Sequence, residues 1–332
     1  MQKEQLIYAG VPTFMGGDLI EARSIKKYDV VFLGVPTDYG SGYRLGSKYA
    51  PRKLRELSFW DRVDGASMYN LDNGETVESN YLDIADIGDI DVDPTHPDKN
   101  QNNITKSVYQ IRRNAFPLVC GGDHAITYGS FRGCYKYMKE LYPDYELGII
   151  HFDAHMDTFG EYLNMPKVWH GNTFERLIED GYLKGENLYT IGPRGYLYSD
   201  WMDYSKSKNI NIYTANNIKE KGIESILKEI KEKNKNKKIK FYVTFDIDFI
   251  DPSYVLGTGT PVMNGPSAMV ADDAVQLLKD FELVGFDIVE LNPTLDNSHT
   301  SFIIACDLLY HFLAFGFNKE KNNLKKYSEI NK

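Results

Sequence analysis

The sequence has few cysteines, no long apolar run and no surplus of positive charge. Its three cysteines, Cys120, Cys134 and Cys306, show no paired spacing, so nothing indicates a disulfide framework. No apolar run approaches the roughly 20 residues that a membrane helix needs. The first residues, MQKEQLIYAG, lack a charged region followed by a long apolar segment, which is the pattern of a signal peptide. We therefore expect a protein of the reducing cytoplasm with no membrane partner.

Acidic residues outnumber basic residues. The chain has 47 Asp and Glu against 38 Lys and Arg, a formal net charge of −9. This balance disfavours nucleic-acid and anionic-membrane partners and weakly favours cationic small molecules. The basic stretch KEIKEKNKNKKIK has no interleaved aromatic residues, so we interpret it as a solvated helix end and turn. We expect no nucleic-acid partner.

Eight apolar stretches with the composition of buried strands alternate with helical segments. These stretches are residues 28–34, 81–88, 116–120, 146–150, 187–195, 209–213, 241–248 and 284–293. Strands that alternate with helices imply crossover connections and a parallel sheet. We predict one α/β domain over residues 1–332, built as a three-layer α/β/α sandwich on an eight-stranded sheet. Residues 1–25 are expected to form an N-terminal arm, and residues 318–332 a frayed tail.

The stretch HFDAHMD, residues 151–157, carries a dense group of metal-competent side chains. Successive side chains of an extended backbone alternate between faces, so Asp153, His155 and Asp157 would share one face. The apolar run ELGII before them indicates a buried strand that delivers them. Two carboxylates and an imidazole suit a divalent cation of intermediate hardness. A polar turn with a capping Asp is the alternative for this stretch alone.

Three other predicted strands also end in polar side chains. FYVTFDID ends in Asp246 and Asp248, FPLVCGGDH ends in His124, and VGFDIVELNP carries Glu290 near its end. Ligands bind at the carboxyl ends of the strands in open parallel sheets. We therefore expect these side chains to meet at one edge of the sheet.

Taken together, GGDH, DAHMD, FDIDFIDP, WHGNTF and VELNP resemble the motifs of the ureohydrolase family of arginases, agmatinases and related guanidino-compound hydrolases. The motifs occur in the family's order and cover most of the chain, from GVPTDYGSGYRLG through GTGTP to VELNP. Several separated motifs in order are far more specific than any one of them. The resemblance implies an eight-stranded parallel sheet, a two-manganese centre, hydrolysis of a guanidinium group to urea and an amine, and homo-trimers or homo-hexamers.

The resemblance also implies the metal ligands. One ion would be held by His124, Asp153, Asp157 and Asp246, and the other by Asp153, His155, Asp246 and Asp248. Asp153 and Asp246 would then bridge the two ions. Oxygen-rich ligation without thiolates favours manganese over zinc or copper, while nickel, cobalt and iron stay open. His151, within the strand, is expected to be a core residue or to orient a ligand.

The predicted catalytic residues are His170, Glu290 and Asp157. His170, beside Gly171 in WHGNTF, matches the family's proton-shuttling histidine, and an imidazole titrates near neutrality. Glu290 is not expected to be a ligand. Its carboxylate can pair bidentately with a planar guanidinium and hold the carbon in place for attack.

The substrate prediction rests on two departures from arginases. Arginases recognise the α-carboxylate of arginine with an Asn and a Ser at positions that are Phe159 and Pro166 in this chain. Neither side chain can donate a hydrogen bond. The α-carboxylate of a bound arginine would therefore lose its partners, at a cost of about 1–3 kcal/mol for each group left unpaired. The stretch IGPRGYLYS also looks more like agmatinases and guanidino-acid hydrolases. We therefore expect a guanidine without an amino-acid head.

The loop before His170 offers two ways to bind the far end of such a substrate. Glu161 could hold a terminal amine and Lys167 a terminal carboxylate, while Tyr162 and Trp169 could line the alkyl chain. An acidic protein attracts a dication more than a zwitterion, so agmatine is favoured over 4-guanidinobutanoate and 3-guanidinopropanoate. Arginase, formiminoglutamase and guanidine hydrolase activities are the next alternatives. A metal-binding protein without catalytic activity is an alternative from another class.

Overall fold

A parallel β-sheet lies at the centre of the computed structural model, which describes residues 9–58, 67–71, 74–77 and 81–322. The strands are β1 (Asp18–Leu19), β2 (Val30–Val35), β3 (Met68–Tyr69), β4 (Thr76–Val77), β5 (Ile84–Asp89), β6 (Phe116–Gly121), β7 (Glu146–Phe152), β8 (Leu188–Ile191), β9 (Asn211–Tyr213), β10 (Ile239–Asp246) and β11 (Leu283–Val289). β3 and β4 pair as a separate antiparallel hairpin. The other nine form one sheet in the order β1-β5-β2-β6-β11-β10-β7-β8-β9.

Helices connect these strands. They are α1 (Ala50–Ser58), α2 (Pro97–Arg112), α3 (Ile126–Leu141), α4 (Thr173–Glu179), α5 (Ser199–Ser207), α6 (Ala215–Lys221), α7 (Ile223–Asn234), α8 (Ala268–Leu277), α9 (Thr300–His311) and α10 (Lys319–Asn322). In the part of the chain that the structure describes, none of them has the length and apolar character to cross a membrane.

The sheet separates two hydrophobic cores, because side chains along a strand alternate between its faces. In β2, Val30 and Phe32 pack into one core with residues of α1, α7, α8 and α9. Val31, Leu33 and Val35 of the same strand pack into the other core, with residues of α2, α3 and α4. Strands buried on both faces are continuous apolar runs in the sequence. The three-layer α/β/α class that the sequence predicts is therefore confirmed.

The prediction of eight strands is wrong by one strand. All eight predicted stretches contain a strand of the sheet, and β1 adds a ninth at the edge, where it pairs with Ala85 and Asp86 of β5. β1 lies in the stretch interpreted as an N-terminal arm. Its two residues are exposed, so it lacks the apolar signature of a buried strand, and only the pairing with β5 defines it.

The predicted arm and the predicted tail are partly packed on the domain. Phe14, within the arm, is fully buried and stacks on Phe32 with 4.4 Å between ring centroids. At the other end, the α10 residue Asn322 is buried and accepts a hydrogen bond from the backbone N–H of Leu283 at 2.8 Å. The interpretation of residues 318–322 as frayed is wrong for this reason. Residues 1–8 and 323–332 lie outside the described residues.

Candidate metal centre and active site

Four adjacent strands deliver the predicted site residues to one edge of the sheet. β6, β11, β10 and β7 are neighbours in that order, and in a parallel sheet their carboxyl ends share an edge. His124 lies just after β6, Glu290 just after β11, and Asp153 just after β7, while Asp246 is the last residue of β10. The topology therefore brings together residues that are far apart in the sequence.

His124 lies at the centre of the first group of donor atoms. Its ring is fully buried, and its Nδ1 lies 3.1 Å from Asp153 Oδ2, 2.9 Å from Asp157 Oδ2 and 3.3 Å from Asp246 Oδ2. Among the described residues this Nδ1 nonetheless has no hydrogen-bond partner. A buried polar atom normally has one. A nitrogen that is surrounded by carboxylate oxygens without a hydrogen bond fits a ligand of a cation.

His155 lies at the centre of a second group. Its Nδ1 is 3.2 Å from Asp153 Oδ1 and 3.1 Å from Asp248 Oδ2. Asp153 therefore faces the first group with Oδ2 and the second with Oδ1. A carboxylate whose two oxygens face two histidine-containing groups is suited to bridge two ions. The residues present thus fit a two-metal centre.

Asp246 and His151 differ in part from the predicted ligand sets. Donor atoms within 4.8 Å of one another form two groups, one of His124, His151, Asp153 and Asp157 and the other of Asp153, His155 and Asp248. Asp246 does not meet this criterion for either group, although its Oδ2 lies 3.3 Å from His124 Nδ1. Its Oδ1 accepts a hydrogen bond from the backbone N–H of Asp248 at 2.8 Å. Its bridging role stays a prediction.

His151 is held by partners on both of its ring nitrogens. Its Nε2 lies 2.7 Å from Asp153 Oδ2, and its Nδ1 lies 3.2 Å from Thr190 Oγ1. A metal ligand is commonly held in place by hydrogen bonds from neighbouring side chains. Both contacts therefore suit the predicted role of His151 as a residue that orients Asp153.

The carboxylates of the centre are crowded and almost inaccessible to solvent. Burial raises the pKa of Asp246, and the charges of Asp248 and Asp153 raise it further. Burial also opposes the ionisation of Asp153, but His151, His124 and His155 hold its pKa well below the usual range. Several buried negative charges need a compensating positive charge. Divalent cations would provide it.

Glu290 and His170 form a pair beside this centre. His170 Nδ1 lies 3.1 Å from Glu290 Oε1, and the same oxygen accepts a hydrogen bond from the backbone N–H of His124 at 2.9 Å. Burial lowers the pKa of His170, but Glu290, with the charges of Asp157 and Asp123, outweighs it and raises that pKa to about 9. Glu290 and Asp157 both have positive φ, 62° and 46°. Such strained conformations in non-glycine residues cluster at functional sites.

The predicted residues for the substrate tail separate into two places. Trp169 is buried and lies next to His170, with 5.4 Å between ring centroids. It stacks on Tyr162 at 5.6 Å, and both Tyr162 and Glu161 are exposed. Lys167 instead has its ammonium 4.0 Å from Asp180 at the end of α4.

An aromatic row continues from Trp169 to α5. Phe159 lies 5.9 Å from Trp169 and 4.0 Å from Trp201 between ring centroids, and Tyr198 lies 4.7 Å from Trp201. The row fixes the loop that carries His170 against α5. Phe159 is one of the two positions where arginases have a hydrogen-bonding side chain, and here an apolar stack occupies it.

Sequence reasoning overlooked three residues that support the site. Thr244 Oγ1 lies 2.8 Å from His124 Nε2, and its position two residues before Asp246 in a strand, hence on the same face, was an available signal. Arg194 donates to the backbone oxygens of Asp248 at 2.7 Å and Val262 at 2.8 Å. The third is Asp123, whose Oδ2 accepts a hydrogen bond from the backbone N–H of Gly40 at 2.7 Å. No pattern in the sequence marks the contacts of Arg194.

Comparison with known proteins agrees with this geometry. A sequence model of the arginase family matches residues 28–314. The chain belongs to the arginase family. It is 30% identical over 321 residues to a guanidinobutyrase of Pseudomonas aeruginosa, with 92% of each chain covered. It is 31% identical over 309 residues to an agmatinase of Chromobacterium violaceum, with 91% of this chain and 88% of the other covered.

The fold is likewise that of a solved arginase-family structure. The proclavaminate amidino hydrolase of Streptomyces clavuligerus superposes with a TM-score of 0.82 at 26% identity, over 94% of this chain and 99% of the other. The predicted family and the predicted class of enzyme, a hydrolase acting on guanidino compounds, are confirmed. Relatives at similar identity carry different substrate names, so identity alone does not choose a substrate.

Proposed function

We propose that this arginase-family chain is a binuclear-metal hydrolase that cleaves a linear guanidino compound to urea and an amine, with agmatine as the first candidate substrate. The observation that carries the proposal is Asp153, which faces His124 with one oxygen and His155 with the other. This shared carboxylate lies at the same sheet edge as the Glu290–His170 pair.

The proposed ligands are those implied by the family motifs. They are His124, Asp153, Asp157 and Asp246 for one ion and Asp153, His155, Asp246 and Asp248 for the other. A pair of divalent cations, manganese by ligand type, would lower the pKa of water toward about 7 and so supply a nucleophile at neutral pH. Nickel, cobalt and iron are compatible with the same donor set.

Glu290 and His170 carry the proposed work on the substrate. The Glu290 carboxylate is almost fully buried at the end of β11, where it can pair with a planar guanidinium and orient the carbon for attack. His170 lies 3.1 Å from that carboxylate, and this distance supports a role in giving a proton to the nitrogen that leaves as the amine. The Trp169 ring lies beside His170, with 5.4 Å between ring centroids.

The loop residues support a substrate without an amino-acid head. Phe159 is stacked between Trp169 and Trp201, and Pro166 has no donor, so an α-carboxylate would lose about 1–3 kcal/mol for each unpaired group. Lys167 lies near Asp180. The exposed Glu161 is then the better candidate for the far end, which favours a cationic end group and hence agmatine.

A guanidino acid is the second candidate. The contact between Lys167 and Asp180 is long, at 4.0 Å, and the Lys167 side chain is 60% exposed. Exposed ion pairs contribute little, so Lys167 can turn toward a carboxylate at low cost. In that case Lys167, rather than Glu161, would recognise 4-guanidinobutanoate or 3-guanidinopropanoate.

The test is urea release after manganese loading, with kcat/KM compared across agmatine, the two guanidino acids, guanidine and arginine. Agmatine as the best substrate supports the proposal, and a guanidino acid would move tail recognition to Lys167. Arginine as the best substrate would refute the argument from Phe159 and Pro166. Asp153→Asn is the control for metal-dependent turnover, since it removes a charge from both groups of donor atoms.

We also propose a cytoplasmic homo-trimer or homo-hexamer, from the family resemblance. Light scattering at micromolar concentration measures the assembly. A monomer alone would contradict it.

A further inference from the structure

The ring of His170 has a defined partner on each nitrogen. Nδ1 lies 3.1 Å from Glu290 Oε1, and the backbone N–H of Gly42 donates to Nε2 at 3.1 Å. A backbone N–H can only donate, so Nε2 presents its lone pair. We propose that the Gly42 N–H is a positioning group that fixes His170 in the tautomer with its proton on Nδ1, directed at Glu290. The inference rests on the proposed function, in which Glu290 binds the guanidinium.

Gly42 is held in place from one side by Asp123. The backbone N–H of Gly40 donates to Asp123 Oδ2 at 2.7 Å, and the Gly40 carbonyl accepts from the backbone N–H of His170 at 3.1 Å. Asp123 is fully buried. A Cβ on Gly40 would lie 3.0 Å from Asp123 Oδ2, so glycine permits this close approach. The segment that carries Gly42 is thereby tied to the backbone of His170 itself.

Two buried side chains hold the other side of Gly42. Asn292 Nδ2 donates to the Arg44 carbonyl at 2.9 Å, and the backbone N–H of Gly46 donates to Asp38 Oδ2 at 2.8 Å. Both Asn292 and Asp38 are buried. The amide of Gly42 is thus positioned by anchors on either side, although the residue itself is exposed.

The Gly42 amide opposes the charges that face the ring. Glu290 at the end of β11, Asp157 in the loop after β7 and Asp123 before α3 all favour a protonated His170. A second proton would sit on Nε2, opposite the Gly42 N–H, and two donors would face each other. The amide therefore favours the neutral ring. A general acid or base is most effective when its pKa lies near the working pH, and the amide moves the pKa of His170 in that direction.

The tautomer gives the proton transfer a direction. The N–H bond at Nδ1 breaks and its proton passes to the leaving nitrogen, which keeps the electron pair of the broken C–N bond. At the same time a solvent proton forms an N–H bond at Nε2, and the hydrogen bond from the Gly42 amide to that nitrogen is broken. The ring is then neutral with its proton on Nε2. This form faces the Gly42 donor, so return to the resting tautomer is favoured.

The first test reads the tautomer directly and needs no activity. Histidine is labelled with ¹⁵N in the full chain loaded with diamagnetic zinc, and His170→Asn identifies the signals of His170. We expect a proton on Nδ1 and a free lone pair on Nε2 at about pH 10, above the pKa of about 9, where the ring is neutral. A proton on Nε2, or on both nitrogens, at that pH would overturn the proposal whatever the protein hydrolyses.

The second test compares Gly42→Pro with Gly42→Ala. Proline removes the N–H, whereas alanine keeps it and would place its Cβ 3.6 Å from His170 Nε2, an ordinary contact. The pH profile of kcat should have a limb set by the ionisation of His170, identified because it disappears in His170→Asn. We expect the midpoint of this limb about one pH unit higher in Gly42→Pro than in Gly42→Ala, since a lost hydrogen bond of ordinary strength corresponds to about one pKa unit. A midpoint at the same pH in both variants would overturn the proposal. Absence of activity on every guanidine would instead reject the proposed function.

Discussion

Replacement of Thr244 by valine is the sharpest test of the proposed metal site, because it changes one hydroxyl outside the ligand set. Thr244 Oγ1 lies 2.8 Å from His124 Nε2, and both residues are fully buried. When Nδ1 binds a metal, Nε2 carries the proton and donates it to Thr244. Valine leaves that N–H buried without an acceptor, at a cost of about 1–3 kcal/mol, which corresponds to a factor of roughly 5 to 150 in an equilibrium constant.

We therefore expect Thr244→Val to weaken manganese binding by about 10- to 100-fold, while saturating manganese restores most of kcat. Titration of the metal-free protein, by calorimetry and by recovery of activity, measures both quantities. Thr190→Val is the matched control, because Thr190 contacts His151 rather than a predicted ligand, and we expect a smaller loss. An unchanged manganese affinity in Thr244→Val, or an equal loss in both variants, would refute the assignment of His124 as a ligand through Nδ1.

Three further predictions concern the centre and the loops around it. Chelation should lower the melting temperature and manganese should restore it, since a metal at 100 times its Kd stabilises by about 2.7 kcal/mol; calorimetry should show no such response in Asp153→Asn. Arg194→Lys should reduce bound metal from two ions toward one, measured by metal analysis after dialysis, because one ammonium cannot replace the guanidinium that holds the Asp248 backbone; two retained ions would contradict this. Burial opposes ionisation of Asp296, but hydrogen bonds from Ser298 and Ser301 lower its pKa to about 2, so its stabilisation is present above about pH 4 and is lost as the pH falls toward 2. In Asp296→Asn the free energy of unfolding, measured by urea denaturation, should depend less on pH over this range than in the unsubstituted protein. An unchanged dependence on pH would contradict this prediction.

The sequence was sufficient for the fold class because the strands are buried on both faces. In β10, every residue from Ile239 to Asp246 is buried, and such a strand appears in the sequence as a continuous apolar run. β1 has two exposed residues and exists through its pairing with β5. No local pattern reports that pairing, so the ninth strand was not predictable by the same reasoning.

The candidate site was predictable where ligands follow such strands directly. Asp153 and His155 follow β7, which ends at Phe152, and the buried strand delivers them to the sheet edge. The predicted strand alternation over Asp153, His155 and Asp157 is wrong, because these residues lie in a loop in which Asp157 has a φ of 46°. The contact between Gly42 and His170 joins residues 128 positions apart. It depends on the path of two loops, and loop paths are set by tertiary anchors such as Asp123 rather than by periodicity.

The same distinction explains why the family is evident and the substrate is not. Residues proposed for the metals lie at the ends of central strands, whose geometry is fixed by hydrogen bonds to neighbouring strands. Three of the residues proposed for the substrate tail, Glu161, Tyr162 and Lys167, are exposed and lie on one loop, whereas Trp169 on the same loop is buried. Exposed loop side chains can change partner at little energetic cost, so a few substitutions there can change the end group that is recognised without disturbing the strand ends. Relatives of this chain with different substrate names at about 30% identity are what such an arrangement would produce.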